Sequence, residues 1–485
     1  MYYKNKSNNM NSERREKLYQ FVQDQISQGV FRTKAYVFND RGERNPQRSM
    51  FLLMQKYVNT FLGGDAAVRW LVMPGLRGAG KTTLLAQLYN DANIPPERKL
   101  FLSVDQVTQT FGASLQEIIQ IYEEIIGGSF EQLKEPVFLF LDEVQYDKHW
   151  AGFLKTIYDR TRKVFIVATG SSALMINVNA DVARRAVSET LYPMSFTEFI
   201  KIKFNKYEEA GLGAELRKTL LDSKSAEEVY GRLLSCKARV HRYWQSIGKQ
   251  EISHYINYGT LPYMVALKNE ALVYDQIKKS LDRVVSVDIP QVGRFRPEVA
   301  SKFQMLLYAI ADSEQISFNS LSSTMEVGRP TLMHMLDVLE KTETITRVYP
   351  HGSHRKQVRK PSKYLFTSPA FRAMYFRFIG STQKQEVYEG KLMEDTVGLF
   401  LGRICEKRSI FLTYDSAAGG ADFIVRDDSA GIAIEVGRGQ KGFDQVVRTS
   451  KKIKAKYGLV ISSSELKMNP QKTAVAVPLE FFLLT

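Results

Sequence analysis

Four short apolar runs, RWLVMP at 69–74, KLFLSVD at 99–105, PVFLFLD at 136–142 and KVFIVATG at 163–170, punctuate the first third of the chain. Unbroken apolar runs of this length suit strands buried on both faces. Between them the apolar residues recur every three or four positions over Thr82–Tyr89, Leu115–Ile126 and Trp150–Thr161, which predicts helices. Strands alternating with helices imply right-handed crossovers and a parallel sheet, to which SETLYP at 188–193 adds a candidate fifth strand. A helical pattern from Phe51 to Leu62, stopped by Gly63 and Gly64, precedes this region. Before it, residues 1–45 are polar, mixed in charge and close on FNDRGERNPQRS, which has the turn residues of a loop, and are read as an N-terminal arm.

From residue 195 the strand signal disappears. Helical patterns (FTEFIKIKF, AEEVYGRLLSCKARVHRYW, LVYDQIKKSLDRVV) run to about 292 and predict a helical lid. Residues 293–373 then predict a winged helix. A short helix from Asn319 leads to a turn at Val327 and Gly328 and an amphipathic helix from Pro330 to Lys341, followed by a hairpin. The hairpin tip carries Arg355, Lys356, Arg359, Lys360 and Lys363, a basic wing suited to phosphate contacts. The helix beside it offers Thr331, His334 and Asp337 and few side chains that read base edges. Residues 374–485 return to short strands mixed with helices. The expected layout is therefore an arm (1–45), an α/β core (46–194), a lid (195–292), a winged helix (293–373) and a C-terminal α/β domain (374–485).

The core carries the clearest chemistry. GLRGAGKTT places Gly75, Gly80, Lys81 and Thr82 at P-loop spacing between a predicted strand and a predicted helix. Backbone N–H groups of such a loop and the helix N-terminus converge on phosphate oxygens, and glycine is needed where a side chain would obstruct them. The cofactor-binding set is Gly75, Arg77, Gly78, Ala79, Gly80, Lys81, Thr82 and Thr83. Lys81 is expected on the β- and γ-phosphates and the Thr82 hydroxyl on Mg²⁺. FLFLDEVQ ends a strand on Asp142, expected to hold the metal through water, and Glu143, expected to polarise the attacking water. Thr169, Ser171 and Ser172 end another strand and are suited to sensing the γ-phosphate. Arg184 and Arg185 supply a candidate finger for a neighbouring subunit's nucleotide.

Composition modifies this picture in three ways. A formal net charge of +15 favours a polyanionic partner. No run of about eighteen apolar residues exists and the first residues are polar, so a soluble cytoplasmic protein without membrane contact is expected. Cys236 and Cys405 lie far apart and in no metal-ligand spacing, which offers neither a disulfide framework nor zinc.

GLRGAGKTT, FLFLDEVQ followed by Trp150, ATGSSA, the arginine pair, YPMSFTEF, YGTLPYMV, DIPQV and KPSKYLFTSPAF together resemble a family of bacterial and archaeal AAA-type ATPases that end in a nuclease-like domain. The resemblance runs from about residue 46 nearly to the end. It implies a P-loop AAA core, a helical lid, a winged helix and a fold similar to PD-(D/E)xK nucleases. Such a nuclease needs acids on adjacent strands for a divalent ion and a lysine two residues past the last acid. Asp422 and Glu435 match the acids and Glu394 offers a third, but Gly437 stands where the lysine belongs, with Arg438 and Lys441 nearby. Either a neighbour substitutes or cleavage has been lost, and loss is the reading taken. Arg448, Lys451, Lys452, Lys454 and Lys456 still offer contact to a polyanion.

The sequence thus describes a homo-oligomeric, Mg-ATP-dependent AAA ATPase that couples nucleotide turnover to conformation or assembly, acting on DNA through backbone contacts. Its rivals are an ATP-gated endonuclease and a scaffold or switch that holds protein partners.

Overall fold

The computed structural model describes residues 2–171, 180–312, 318–353, 355, 357, 360–379, 385–426, 430–439 and 441–485. It divides into two compact units, Met1–Leu191 and Tyr192–Thr485.

The first unit is built on five strands: β1 (Trp70–Pro74), β2 (Lys99–Ser103), β3 (Val137–Asp142), β4 (Val164–Gly170) and β5 (Val187–Ser188). All pairings are parallel, in the order β2-β3-β4-β1-β5. Every residue of β1, β3 and β4 is buried, which is why those stretches read as continuous apolar runs. The main helices that accompany the sheet are α1 (Tyr2–Val37), α2 (Ser49–Leu62), α3 (Lys81–Asp91), α4 (Val104–Phe111), α5 (Leu115–Ile125) and α6 (Trp150–Arg160). Helix α5 starts on a capping box in which Ser114 and Glu117 exchange side-chain and backbone hydrogen bonds.

Two expectations change here. The fifth strand spans only Val187 and Ser188, although hydrogen bonds from Glu189 to Val72 and from Leu191 to Pro74 continue its line. The N-terminal arm, read from its sequence as polar and charged with a closing loop, is largely the long helix α1. Its Leu18 and Val22 insert into the core cluster of the sheet, and Arg14 pairs with Glu117. Its apolar residues, Leu18 and Val22 with Tyr19, Phe21 and Ile26 against the same cluster, are diluted by charges, which hides this helix from a composition-based reading.

The second unit opens with helices Phe196–Phe204, Leu212–Asp222, Ala226–Ile247 and Glu270–Arg283, interrupted by π-helical turns at Tyr255–Gly259 and Val284–Asp288. Helices Phe303–Asp312, Phe318–Met325 and Arg329–Lys341 follow, then an antiparallel hairpin of β6 (Ile345–Pro350) and β7 (Lys363–Phe366). The long helix Gln385–Arg408 leads to β8 (Phe411–Tyr414), β9 (Phe423–Arg426), β10 (Gly431–Val436), β11 (Tyr457–Ser462), β12 (Lys467–Met468) and β13 (Ala474–Pro478). The hairpin is not a separate sheet. Tyr349 and Pro350 of β6 pair with Thr413 and Tyr414 of β8, giving one eight-stranded sheet in the order β12-β13-β11-β10-β9-β8-β6-β7. The boundary expected at 373/374 therefore does not separate two sheets.

A buried ion pair pins this unit. Arg372 on the helix Pro369–Ile379 binds Asp395 through two hydrogen bonds of 2.5 and 2.9 Å, with side-chain exposures of 3% and 0%. The remaining Arg372 donors reach the carbonyls of Ile310 and Ala311, and Asp395 also accepts from Phe366 N.

Candidate nucleotide site and C-terminal acid pocket

The carboxyl ends of β1, β4 and β3 meet at one edge of the first sheet, the edge where open parallel sheets bind ligands. Between β1 and α3 the loop turns through Gly78 (φ 83°) and Gly80 (φ 94°), left-handed conformations that favour glycine. Gly75 is required for a different reason, since a Cβ there would lie 2.5 Å from the Leu191 carbonyl oxygen. Lys81, only 6% exposed, turns back on the loop, and its Nζ donates to Gly75 O (2.8 Å) and Leu76 O (3.2 Å).

Asp142 is joined to the loop although β4 lies between their strands. Thr82 Oγ1 donates to Asp142 Oδ2 at 2.7 Å, and Thr169 Oγ1, at the end of the intervening β4, donates to Asp142 Oδ1. Burial, with the Glu143 charge beside it, pushes the Asp142 carboxyl up to about 6, while the two threonine donors and Lys81 pull it down.

Glu143 occupies the left-handed region (φ 54°), which turns its side chain out of the strand direction, and its carboxylate accepts from Gln145 Nε2. Its backbone N–H points to Thr169 Oγ1 at 3.4 Å.

Ser171 is buried and its hydroxyl has no partner among the described residues, a polar group left waiting at the end of β4. Ser172 lies outside the described residues. Arg185 makes a bidentate pair with Asp159 (2.7 and 3.0 Å), whereas Arg184 is exposed.

Arg48 was not expected to participate. It is buried just before α2, and its Nη1 donates to Ala79 O of the loop at 2.7 Å. Gln145 was likewise missed, and only its position two residues after Glu143 could have drawn attention.

In the second unit Glu394, Asp422 and Glu435 line one cavity of about 920 Å³. Lys363 lines it as well, which corrects its expected place on the basic tip. It opens β7 facing inward, and its Nζ binds Glu394 and, at 3.1 Å, Asp422. Burial opposes its charge, but the two carboxylates outweigh burial and hold the ammonium above its ordinary range.

Lys441 pairs with Glu435 at 2.6 Å and lies across Gly437, where a Cβ would stand 2.3 Å from Lys441 Cδ. A lysine therefore reaches the acid from four residues beyond the expected position, and the glycine gives it room. Burial, then the Asp422 charge, pushes Glu435 up to about 7 against the pull of Lys441.

At the hairpin tip Arg355 and Lys360 are exposed, while Lys356 and Arg359 lie outside the described residues. His334 packs its ring on Phe295 (centroids 4.8 Å apart) and Asp337 pairs with Lys341. Lys452 of the C-terminal basic helix is drawn to Asp415. Among the described residues no helix is long and apolar enough to cross a membrane. Cys236 and Cys405 are both buried and unbridged.

Comparison with known proteins places this geometry. A family model described as "AAA domain" matches residues 68–200, the stretch that holds the loop, Asp142 and Thr169. The Methanocaldococcus jannaschii "Uncharacterized protein MJ1637" is 34% identical over 450 residues, covering 92% of this chain and 90% of that protein. This chain belongs to the MJ1637 family. Its first unit is an AAA-type P-loop ATPase domain.

A second M. jannaschii protein, "Uncharacterized protein MJ1544", is 22% identical over 231 residues, covering 45% of this chain and 41% of that protein. A further family model, "Domain of unknown function (DUF8612)", spans residues 249–380, from the π-helical turns through the hairpin. Solved structures similar in part include a Thermotoga maritima RuvB variant (11% identity, 68% of this chain, 93% of that chain, TM-score 0.30) and AMPPCP-bound DnaA from Aquifex aeolicus (17%, 60%, 87%, TM-score 0.26). Superpositions this loose carry no further argument.

Proposed function

We propose that this MJ1637-family chain is an Mg-ATP-dependent AAA ATPase that couples nucleotide binding and hydrolysis to a change of conformation or assembly on DNA. The hydrogen bond from Thr82 to Asp142 supports this reading most directly, because it brings a P-loop hydroxyl and an acid from another strand to one point. The orphaned Ser171 hydroxyl and the parked Lys81 ammonium fit a triphosphate and its metal. Magnesium, when bound, neutralises and aligns phosphate oxygens.

This chain's residues then divide the remaining work. Lys81 leaves the loop carbonyls for the phosphate oxygens, and Thr82 and Asp142 would hold the metal. Glu143, released from Gln145, takes the proton of the attacking water. Ser171 and Thr169 sense the γ-phosphate, and Arg48 fixes the loop through Ala79. Arg184, exposed, serves as the finger in a homo-oligomer, while Arg185 is spent on Asp159.

Glu143→Gln is expected to keep ATP affinity and lose turnover by about a hundredfold or more, the usual contribution of a general base. Phosphate release measured under single-turnover conditions checks this, and a rate near wild type removes Glu143 from that role.

For the second unit we assign residues 195–292 as the lid, 293–373 as a winged helix and 374–485 as a nuclease-like domain that does not cleave. The net charge of +15 and the exposed Arg355 and Lys360 support contact with the DNA backbone. Affinity for duplex DNA should fall steeply with salt. Charge reversal at Arg355, Lys356, Arg359 and Lys360 should flatten that slope by roughly 0.9 for each DNA phosphate no longer neutralised. Binding indifferent to both salt and charge reversal favours the scaffold reading.

A further inference from the structure

Between β3 and α6 the chain makes one 3-10 turn, Val144–Tyr146, held at both ends. Val144 is fully buried and Tyr146 N donates back to Glu143 O (3.2 Å). The buried Asp147 carboxylate accepts from Leu115 N (2.7 Å) at the start of α5 and from His149 N (2.8 Å). The backbone of Gln145 is thereby fixed against the end of β3.

The Gln145 amide is fixed as well. Its Nε2 donates to a Glu143 carboxylate oxygen, which settles the way the amide faces, since the reverse orientation would set two acceptors against each other. The amide oxygen Oε1 is then an acceptor, and it is buried without a hydrogen-bond partner among the described residues. A buried amide oxygen that lacks a donor is costly, and in a hydrolytic site the donor at hand is water.

We infer that Gln145 is a second acceptor for the attacking water, beside Glu143. The inference rests on the ATPase reading. A water carries two hydrogens; the Glu143 carboxylate and Gln145 Oε1 take one each, which leaves a lone pair for phosphorus. As the water oxygen bonds the γ-phosphorus and the bond from phosphorus to the β–γ bridging oxygen breaks, one proton passes to Glu143. The other stays on the transferred oxygen, held by Oε1, so Gln145 neither gains nor loses a proton and the products are ADP and inorganic phosphate. Release of Glu143 from Nε2 frees that carboxylate for its proton and leaves Oε1 to hold the water.

The test compares wild type, Gln145→Met and Gln145→Glu in the full chain. Gln145 is half-buried and anchored through its backbone, so all three should melt alike. Steady-state and single-turnover phosphate release is one readout. The other is calorimetric affinity for ADP with aluminium fluoride, a mimic of the phosphoryl group in flight, set against affinity for a non-hydrolysable ATP analogue. Gln145→Met, similar in length and without an oxygen acceptor, is expected to lower kcat and the aluminium fluoride affinity by at least about tenfold each. KM and the affinity for the ATP analogue should hold, the pattern of an interaction made in the transition state. Gln145→Glu, which keeps an acceptor oxygen and loses the N–H, should retain more of both.

A Gln145→Met protein with wild-type turnover and aluminium fluoride affinity overturns the inference alone, whereas a wild type that releases no phosphate removes the ATPase reading with it. Faster turnover by Gln145→Met overturns it too, because Gln145 then only restrains Glu143. So does a Gln145→Glu protein as impaired as Gln145→Met, since the lost N–H is then responsible. Equal losses of affinity for the ATP analogue and the aluminium fluoride complex also overturn it, since the side chain then supports nucleotide binding in general.

Discussion

Lys81→Ala is expected to lower ATP turnover by at least about a hundredfold, the scale on which removal of one charged or polar group from a transition-state clamp is felt. Lys81 donates to the backbone carbonyls of Gly75 and Leu76 in its own loop, so the folded state depends on it weakly. Its value lies in what it does once the phosphates arrive. A compact ammonium beside the β- and γ-oxygens offsets charge that grows as the bond to the leaving group lengthens. The variant should therefore melt close to wild type while binding ATP weakly and turning it over slowly. Coupled phosphate-release assays alongside calorimetric titration of ATP measure both effects. Turnover within tenfold of wild type would detach Lys81 from the chemistry and count against the ATPase proposal.

Asp395→Ala should be the most damaging single change in the second unit. It leaves the Arg372 guanidinium buried without its carboxylate and deprives Phe366 N of its acceptor. Breaking a buried pair from one side costs roughly 3–5 kcal/mol, a large share of the roughly 5–15 kcal/mol that holds a domain folded. Replacing both partners, as Arg372→Met/Asp395→Leu, should recover much of that loss, because no unpaired charge remains. Urea unfolding followed by circular dichroism compares the three proteins. A cost below about 1 kcal/mol for the single change, the range of exposed pairs, contradicts the burial described above.

The core was legible from the sequence because its information is local. β3 is fully buried and ends on Asp142, the acid proposed to hold the metal, so one stretch, VFLFLD, carries both the strand and the candidate site. The second unit resisted for the opposite reason. Lys363 follows a run of basic residues and looks solvated, yet its partners lie 31 and 59 residues away. The pairing of β6 with β8 is equally remote and leaves no periodic trace. Lys441 was visible as a neighbour of Gly437, but its seat over that glycine depends on a bend that spacing does not record. Helix α1 went unread for a third reason, since its few apolar residues, Leu18, Val22 and the neighbours that pack with them, are outweighed by the charges around them.

The seam between β6 and β8 has a mechanical consequence. Besides its two residue pairs, His351 N donates to Tyr414 O, Tyr414 OH donates to Pro361 O, and Lys363 is anchored on Glu394 and Asp422. These ties deny the hairpin a hinge of its own. A ligand that tugs on the tip cannot swing it like a flap; the load passes along the strand into the carboxylates that grip its far end, so whatever displaces the hairpin must also strain that grip.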